Sequence, residues 1–146
     1  MMKVETKYHG QCEIDKEDIF RFDQGIPGFL EEKEFVLLPL EETPIVILQS
    51  VKTPELGFAM VNPFLYFPDY DFELDELSVE QLQLSSEKEV AVYVILTVAD
   101  SFEHTTANLQ APVVLNSEKK LGKQVILTST PYRTKHKLFT DKVEAK

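Results

Sequence analysis

The feature that most constrains the fold is an apolar run at residues 90–99, VAVYVILTVA, which contains no charge, no glycine and no proline. β-branched and aromatic residues dominate it, and polar segments flank it, which favours a strand over a buried helix. Because side chains alternate along a strand, the even-numbered residues share one face, whereas Tyr93 and Ile95 share the other. Both faces are largely apolar, so the run is predicted to be a central strand that is at least partly covered on both sides.

The other apolar segments of the chain are short and evenly spaced. Only Ser78-Val79-Glu80-Gln81-Leu82 has a helix signal, with Ser78 as a predicted N-cap and Gln81 completing a capping box. Such a series predicts a mostly β protein, a small antiparallel β-barrel-like single domain with one short helix. The domain is assigned to residues 1–132, and residues 133–146 are assigned to a basic C-terminal arm. The further predicted strands are 3–8, 19–22, 34–38, 45–50, 56–61, 109–115 and 124–128.

Composition and charge narrow the class of protein. Its 146 residues are 43% hydrophobic, which suits one globular domain, and the single cysteine, Cys12, suits a reducing cytoplasm. No secretory signal or membrane-spanning run is visible, so a cytoplasmic protein without membrane association is expected. Residues 1–75 hold 6 Lys/Arg and 16 Asp/Glu, a net −10, whereas residues 76–146 hold 9 of each. This acidity argues against direct nucleic-acid binding and suits either a basic partner or simple solubility.

The sequence offers no convincing catalytic, metal or cofactor site. Nucleophilic catalysis would need a Ser or Cys beside a base, but the neighbours His9 and Cys12 carry no diagnostic pattern. The carboxylates of Asp69 and Asp71 would share one face of an extended segment, which is more typical of a solvated acidic edge than of a metal site. We therefore expect a protein that is not an enzyme and that binds no cofactor or metal.

An aromatic segment at residues 62–70 has two interpretations. It fills the core at a barrel mouth, or it forms an apolar patch with an acidic rim that binds another protein. The candidate partner-binding residues are Phe64, Leu65, Tyr66, Phe67, Asp69, Tyr70 and Asp71.

Four motifs in order resemble one known family. They are FDQGIPGF at 22–29, NPF and PDY within 62–70, TANLQAPVVLN at 106–116 and QVIL at 124–127. Together they are similar to the bacterial flagellar assembly factor FliW family, over nearly the whole chain. Within them, structural rather than binding roles are expected, because glycine and proline set backbone shape and asparagine satisfies backbone groups. These residues are Gly25, Ile26, Pro27, Gly28, Phe29, Asn108, Pro112 and Asn116.

The resemblance implies a function that the residues alone do not. It implies a non-enzymatic cytoplasmic protein that binds flagellin in a chaperone-like way and also binds the carbon storage regulator CsrA. CsrA is a small basic RNA-binding dimer that represses translation, and binding it would relieve repression of flagellin synthesis.

Two alternative functions remain open from the sequence alone. A small-molecule-binding β-barrel would use Tyr93, Ile95 and their neighbours to line a cavity. A hydrolase or transferase would have only scattered histidines and carboxylates to support it.

Overall fold

The computed structural model of the chain describes residues 2–98, 100, 102–128 and 130–138. Within these ranges the chain forms eleven strands and one α-helix, α1 (Glu76–Gln81). The strands are β1 (Met2–Glu5), β2 (Gln11–Ile14), β3 (Ile19–Arg21), β4 (Glu34–Pro39), β5 (Val46–Ser50), β6 (Gly57–Val61), β7 (Val90–Thr97), β8 (Thr106–Ala107), β9 (Val113–Asn116), β10 (Leu121–Gln124) and β11 (His136–Lys137).

Seven of the described strands close into a barrel. Their order is β7-β6-β5-β4-β3-β10-β9, and β9 pairs back onto β7 from Val90 opposite Asn116 to Tyr93 opposite Val113. Every pairing in this ring is antiparallel except that of β3 with β10, where Leu121 lies opposite Arg21 in parallel. The predicted mostly β, barrel-like fold with a short helix is confirmed.

The central strand β7 pairs with β6, β8 and β9. On its outer face, Val94 and Leu96 belong to one buried cluster and Val90 packs on another. On its inner face, Tyr93 and Ile95 pack against the barrel interior. The predicted two-sided coverage is therefore confirmed, although the strand ends at Thr97 and the predicted last residue, Ala99, lies outside the described residues.

The strand predicted at residues 124–128 was wrong in position, because β10 spans Leu121–Gln124. The cause is the turn after β9. There the Asn116 side-chain oxygen accepts hydrogen bonds from the backbone N–H groups of Glu118 and Lys119, at 3.0 Å each. Lys120 then adopts a left-handed conformation, with φ of 55°, and the chain returns immediately into pairing with β9.

The prediction that Ser78 caps the helix was also wrong. Asp75 is the N-cap, and its carboxylate accepts hydrogen bonds from the Ser78 backbone N–H at 3.3 Å and the Ser78 hydroxyl at 2.6 Å. Ser78 is buried in the first turn, where its hydroxyl also accepts a hydrogen bond from Lys123 Nζ at 2.9 Å. The capping box of this region belongs instead to Ser86 and Glu89.

The last described segment attaches to the barrel. Strand β11 pairs with β8, and Leu138 is buried beside Leu109 in the same core cluster. The remainder of the predicted arm, residues 139–146, lies outside the described residues. None of the helical segments described is long and apolar enough to cross a membrane.

Candidate partner-binding site

The aromatic segment begins with a tight turn that presents two apolar side chains to solvent. Asn62 accepts a hydrogen bond from the Phe64 backbone N–H at 2.9 Å, and Pro63 starts a short 3-10 turn that ends at Leu65. Phe64 is 45% exposed and Leu65 is 65% exposed. Exposed side chains of this size on a fixed turn are suited to contact with another protein.

The remaining aromatic residues of the segment turn inward. Tyr70 is only 4% exposed, and its hydroxyl donates a hydrogen bond of 2.7 Å to the Leu109 carbonyl. Burial, with a smaller contribution from Tyr132, raises the pKa of Tyr70 well above its usual value. Tyr66 and Phe67 are half-buried against the same core cluster. The structure thus leaves Phe64, Leu65, Asp69 and Asp71 exposed and places Tyr66, Phe67 and Tyr70 wholly or partly in the core.

An open groove of about 770 Å³, here called the aromatic groove, lies beside the exposed turn. The outer face of β7 lines it with Val90 and Val92, and Phe64 lines it from the turn. The other lining residues are Asp71, Phe72, Glu73, Leu74, Val79, Leu84, Ser85, Ser86 and Glu87. Most of these residues come from parts of the chain that sequence patterns did not mark for binding, because the groove forms only when separate segments pack against β7.

Among the described residues, every charged side chain that lines the aromatic groove is negative. Asp71, Glu73 and Glu87 line it, and no Lys or Arg belongs to its lining. An apolar floor with an acidic rim is complementary to an amphipathic helix that carries Lys or Arg beside its apolar face.

Glu89 fixes one wall of this groove. Its carboxylate accepts three hydrogen bonds, from the Ser85 backbone N–H at 2.7 Å, the Ser85 hydroxyl at 2.8 Å and the Ser86 backbone N–H at 2.9 Å. These donors, with the Ser85 backbone first, hold the pKa of Glu89 below its usual value. The ionised carboxylate therefore organises the chain just before it enters β7.

The glycine-proline turn holds its shape through its backbone. Gly25 has a φ of 67°, and a Cβ placed on it would lie 2.5 Å from the Leu30 carbonyl oxygen. Ile26 is buried, and its carbonyl accepts a hydrogen bond of 2.6 Å from the Phe29 backbone N–H. Pro27 and Gly28 form the exposed tip, where Gly28 has a φ of 88°.

Both asparagines of the TANLQAPVVLN motif bind backbone groups. Asn108 accepts hydrogen bonds of 3.1 Å from the N–H groups of Gln110 and Ala111. Asn116 is fully buried and, besides fixing the turn after β9, donates from its side-chain nitrogen to the Leu82 carbonyl at 2.8 Å. Pro112 is buried between them. The hydrogen bond between Asn116 and Leu82 joins the helix region to the barrel.

Cys12 and His9 each contact a backbone carbonyl. The Cys12 thiol lies 3.6 Å from the backbone carbonyl of His9, while His9 Nε2 lies 3.0 Å from the Pro39 carbonyl. Within the described ranges, no three His, Cys, Asp or Glu side chains are grouped so that they could hold a metal ion.

The interior of the barrel is filled by side chains. Phe22 and Phe35 meet edge to face with ring centroids 5.2 Å apart, and Met60 is fully buried beside them. Tyr93 and Ile95 pack on this cluster. An open groove of about 430 Å³ is lined by Tyr93, Ala91 and Leu115 of this cluster but not by Ile95. This packing does not favour a ligand-binding barrel that uses both residues to line an internal cavity.

Comparison with known proteins shows that this chain is similar to members of one family over nearly its full length. The profile of the FliW protein family matches residues 3–138. The flagellar assembly factor FliW of Geobacillus kaustophilus (strain HTA426) is 67% identical over 142 residues, covering 97% of this chain and 99% of that protein. The flagellar assembly factor FliW of Bacillus subtilis (strain 168) is 50% identical over 136 residues, covering 92% and 95%. A crystal structure of the flagellar assembly factor FliW superposes with a TM-score of 0.94 at 65% identity, covering 97% of this chain and all of that one.

Proposed function

Because this chain belongs to the FliW family, we propose that it is a flagellar assembly factor that binds both flagellin and the translational repressor CsrA. Binding of CsrA relieves repression of flagellin synthesis, and newly made flagellin competes for the same protein. Export of flagellin then frees the protein to bind CsrA, so that translation follows secretion. The role is non-catalytic and is carried out in the cytoplasm.

The observation that carries this proposal is the aromatic groove with its acidic rim. Flagellin's helical terminal region needs an apolar docking surface, and the groove supplies one of about 770 Å³ beside the exposed Phe64 and Leu65. Helices bound in grooves of this kind place apolar anchors at intervals of three and four residues. We assign the flagellin helix to this groove.

The charge distribution supports the second partner. A chain with formal charge −10, all of it in residues 1–75, attracts a basic dimer over distances longer than a contact. Between about 0.01 M and 1 M salt the screening length falls from about 30 Å to about 3 Å, so association with CsrA is expected to slow steeply over that range.

Two matched variants test the groove assignment. Phe64→Ser with Leu65→Ser removes the exposed side chain that lines the groove together with its exposed neighbour on the same turn, whereas Leu77→Ser removes a similarly exposed apolar side chain of α1 that does not line it. The double variant is expected to weaken flagellin binding in titration calorimetry by about tenfold or more, as loss of an interface anchor does. Leu77→Ser should bind like the wild type.

Two different outcomes would contradict the groove assignment and the proposed function. If the folded double variant binds flagellin with unchanged affinity, flagellin docks elsewhere. If neither flagellin nor CsrA produces saturable binding to the wild-type protein, the proposed function itself is wrong.

A further inference from the structure

The stretch that follows β10 has an unpaired backbone edge. The N–H groups of Val125 and Leu127 donate to the Pro112 and Gln110 carbonyls at 2.9 and 2.8 Å. Because successive N–H groups of an extended chain point in opposite directions, those of Ile126 and Thr128 face away from this pairing. Within the part of the chain that the structure describes, neither has a hydrogen-bond partner.

A second groove, here called the edge groove, runs along this stretch. It has a volume of about 700 Å³, and residues 123–128 line it without interruption. Phe72, Glu73 and Asp75 line it from a different part of the chain. It also contains Thr130, whose hydroxyl oxygen is buried without a hydrogen-bond partner among the described residues. A groove beside an unpaired strand edge is the geometry in which an extended peptide adds a strand.

The side chains of the edge groove indicate what such a peptide would carry. Ile126 is 54% exposed and offers an apolar contact. The one cation of the lining, Lys123, is occupied by hydrogen bonds from its Nζ to Ser78 and Gln81. Glu73 has no ion pair in the described structure, so it is available to a positive charge.

We propose that the edge groove binds an extended segment of a partner protein by β-strand addition. The segment donates and accepts backbone hydrogen bonds along Ile126 and Thr128, and it places an apolar side chain on Ile126 and a Lys or Arg near Glu73. The edge groove adjoins the aromatic groove, since Phe72 and Glu73 line both. This site goes beyond the proposed function, because it concerns a second surface and does not depend on which partner occupies the first.

The test measures backbone amide hydrogen exchange of the full chain in the absence and in the presence of a capped heptapeptide in which Lys, Val and Thr alternate. In the free protein, Ile126 and Thr128 should exchange rapidly, while Val125 and Leu127 are already protected. Saturating peptide is expected to slow exchange at Ile126 and Thr128 by about tenfold or more. The same peptide with alternate backbone nitrogens methylated keeps its side chains but loses its donors, so it should give no protection.

Two substitutions at position 126 distinguish the contribution of the backbone N–H to peptide binding from that of the side chain. Ile126→Pro removes the free N–H but leaves the Val125 and Leu127 hydrogen bonds, and an extended Val125 tolerates a following proline. Ile126→Val keeps both the N–H and a branched apolar side chain, so it is the matched control. Peptide affinity is expected to fall about tenfold in the proline variant and to change by less than about threefold in the valine variant.

Three results would overturn the proposal. The first is unchanged exchange at Ile126 and Thr128 when millimolar peptide is added to the wild-type protein. This measurement does not require the proline variant to fold. The second is equal binding of the N-methylated peptide. The third is protection of both amides in peptide-free protein that sediments as a dimer, which would assign the edge to a second copy of this chain.

Discussion

The Tyr70 hydroxyl donates a hydrogen bond of 2.7 Å to the backbone carbonyl of Leu109, 39 residues along the chain. The contact joins the end of the aromatic segment to the stretch that enters β9. The Tyr132 ring packs edge-on against Tyr70 with centroids 4.7 Å apart, and the Tyr132 hydroxyl accepts a hydrogen bond of 3.0 Å from the Asp71 backbone N–H. The aromatic segment is thus anchored behind the residues that it presents to solvent.

Tyr70→Phe tests this anchor. The substitution removes the donor and leaves the buried Leu109 carbonyl without it, so the free energy of unfolding should fall by about 1–3 kcal/mol. Urea denaturation measures the change. Tyr8→Phe, at a tyrosine that is half exposed, is the matched control and should leave stability almost unchanged.

The glycine-proline turn allows a comparison of two alanine substitutions. Both Gly25 and Gly28 have positive φ, so each substitution should cost about 1–2 kcal/mol in backbone strain. Gly25→Ala should cost more, because its Cβ would meet the Leu30 backbone, whereas no atom lies within 4 Å of a Cβ at Gly28. Equal losses in thermal or urea unfolding would show that the Leu30 contact relaxes freely.

Glu89 predicts a specific acid sensitivity. Its pKa is lowered in the folded protein from an ordinary value of 4.5, so the folded state binds the proton less readily than the unfolded state. Its contribution to stability is therefore complete above about pH 4.5 and is lost as the pH falls through the lowered folded value. Glu89→Gln should reduce stability at neutral pH and flatten the acid dependence, whereas Glu87→Gln, at an exposed neighbour, should leave stability at neutral pH almost unchanged.

His136 predicts a second pH dependence, near neutrality. Its Nε2 accepts a hydrogen bond of 2.8 Å from the Arg133 backbone N–H, which requires that nitrogen to be unprotonated. Burial, and then the charge of Arg133, lower the pKa of His136 from 6.5. The stabilisation is complete above about pH 6.5 and is lost as the pH falls toward the lowered folded value.

Hydrogen exchange at Leu138, whose backbone N–H donates to the Thr105 carbonyl at 3.2 Å, measures this loss. After correction for intrinsic rates, exchange in the wild type should accelerate as the pH falls below 6.5. His136→Phe keeps a ring against Phe67 and Tyr132 but cannot accept the hydrogen bond, so its exchange should be fast at every pH. A pH-independent wild type would contradict this assignment.

The sequence was informative where one local pattern decides the structure. The apolar and β-branched run at residues 90–99 favoured a covered strand over a buried helix, and the structure has that strand at Val90–Thr97. The combination of spaced motifs was enough to identify the family. Helix capping was predicted less well, because Asp75 and Ser78 are both good N-caps. In the structure the Ser78 hydroxyl is held between the Asp75 carboxylate and the distant Lys123, a contact that no local pattern shows.

The candidate site could be predicted only in part. Phe64 and Leu65 were marked by their aromatic surroundings, but composition cannot show that Tyr70 points inward, because that depends on the distant Leu109 carbonyl. The groove wall at Val79 and Leu84 and the floor at Val92 had no local signal. They come together only through the packing of the helix region on β7.

The most direct test of the proposed function is in vitro translation of a flagellin reporter repressed by CsrA, to which this protein is added in increasing amounts. The account predicts that translation is restored once the protein exceeds CsrA and that purified flagellin added with it reverses the restoration. Translation that stays repressed at saturating protein would contradict the account, and restoration that is insensitive to flagellin would contradict the proposed competition.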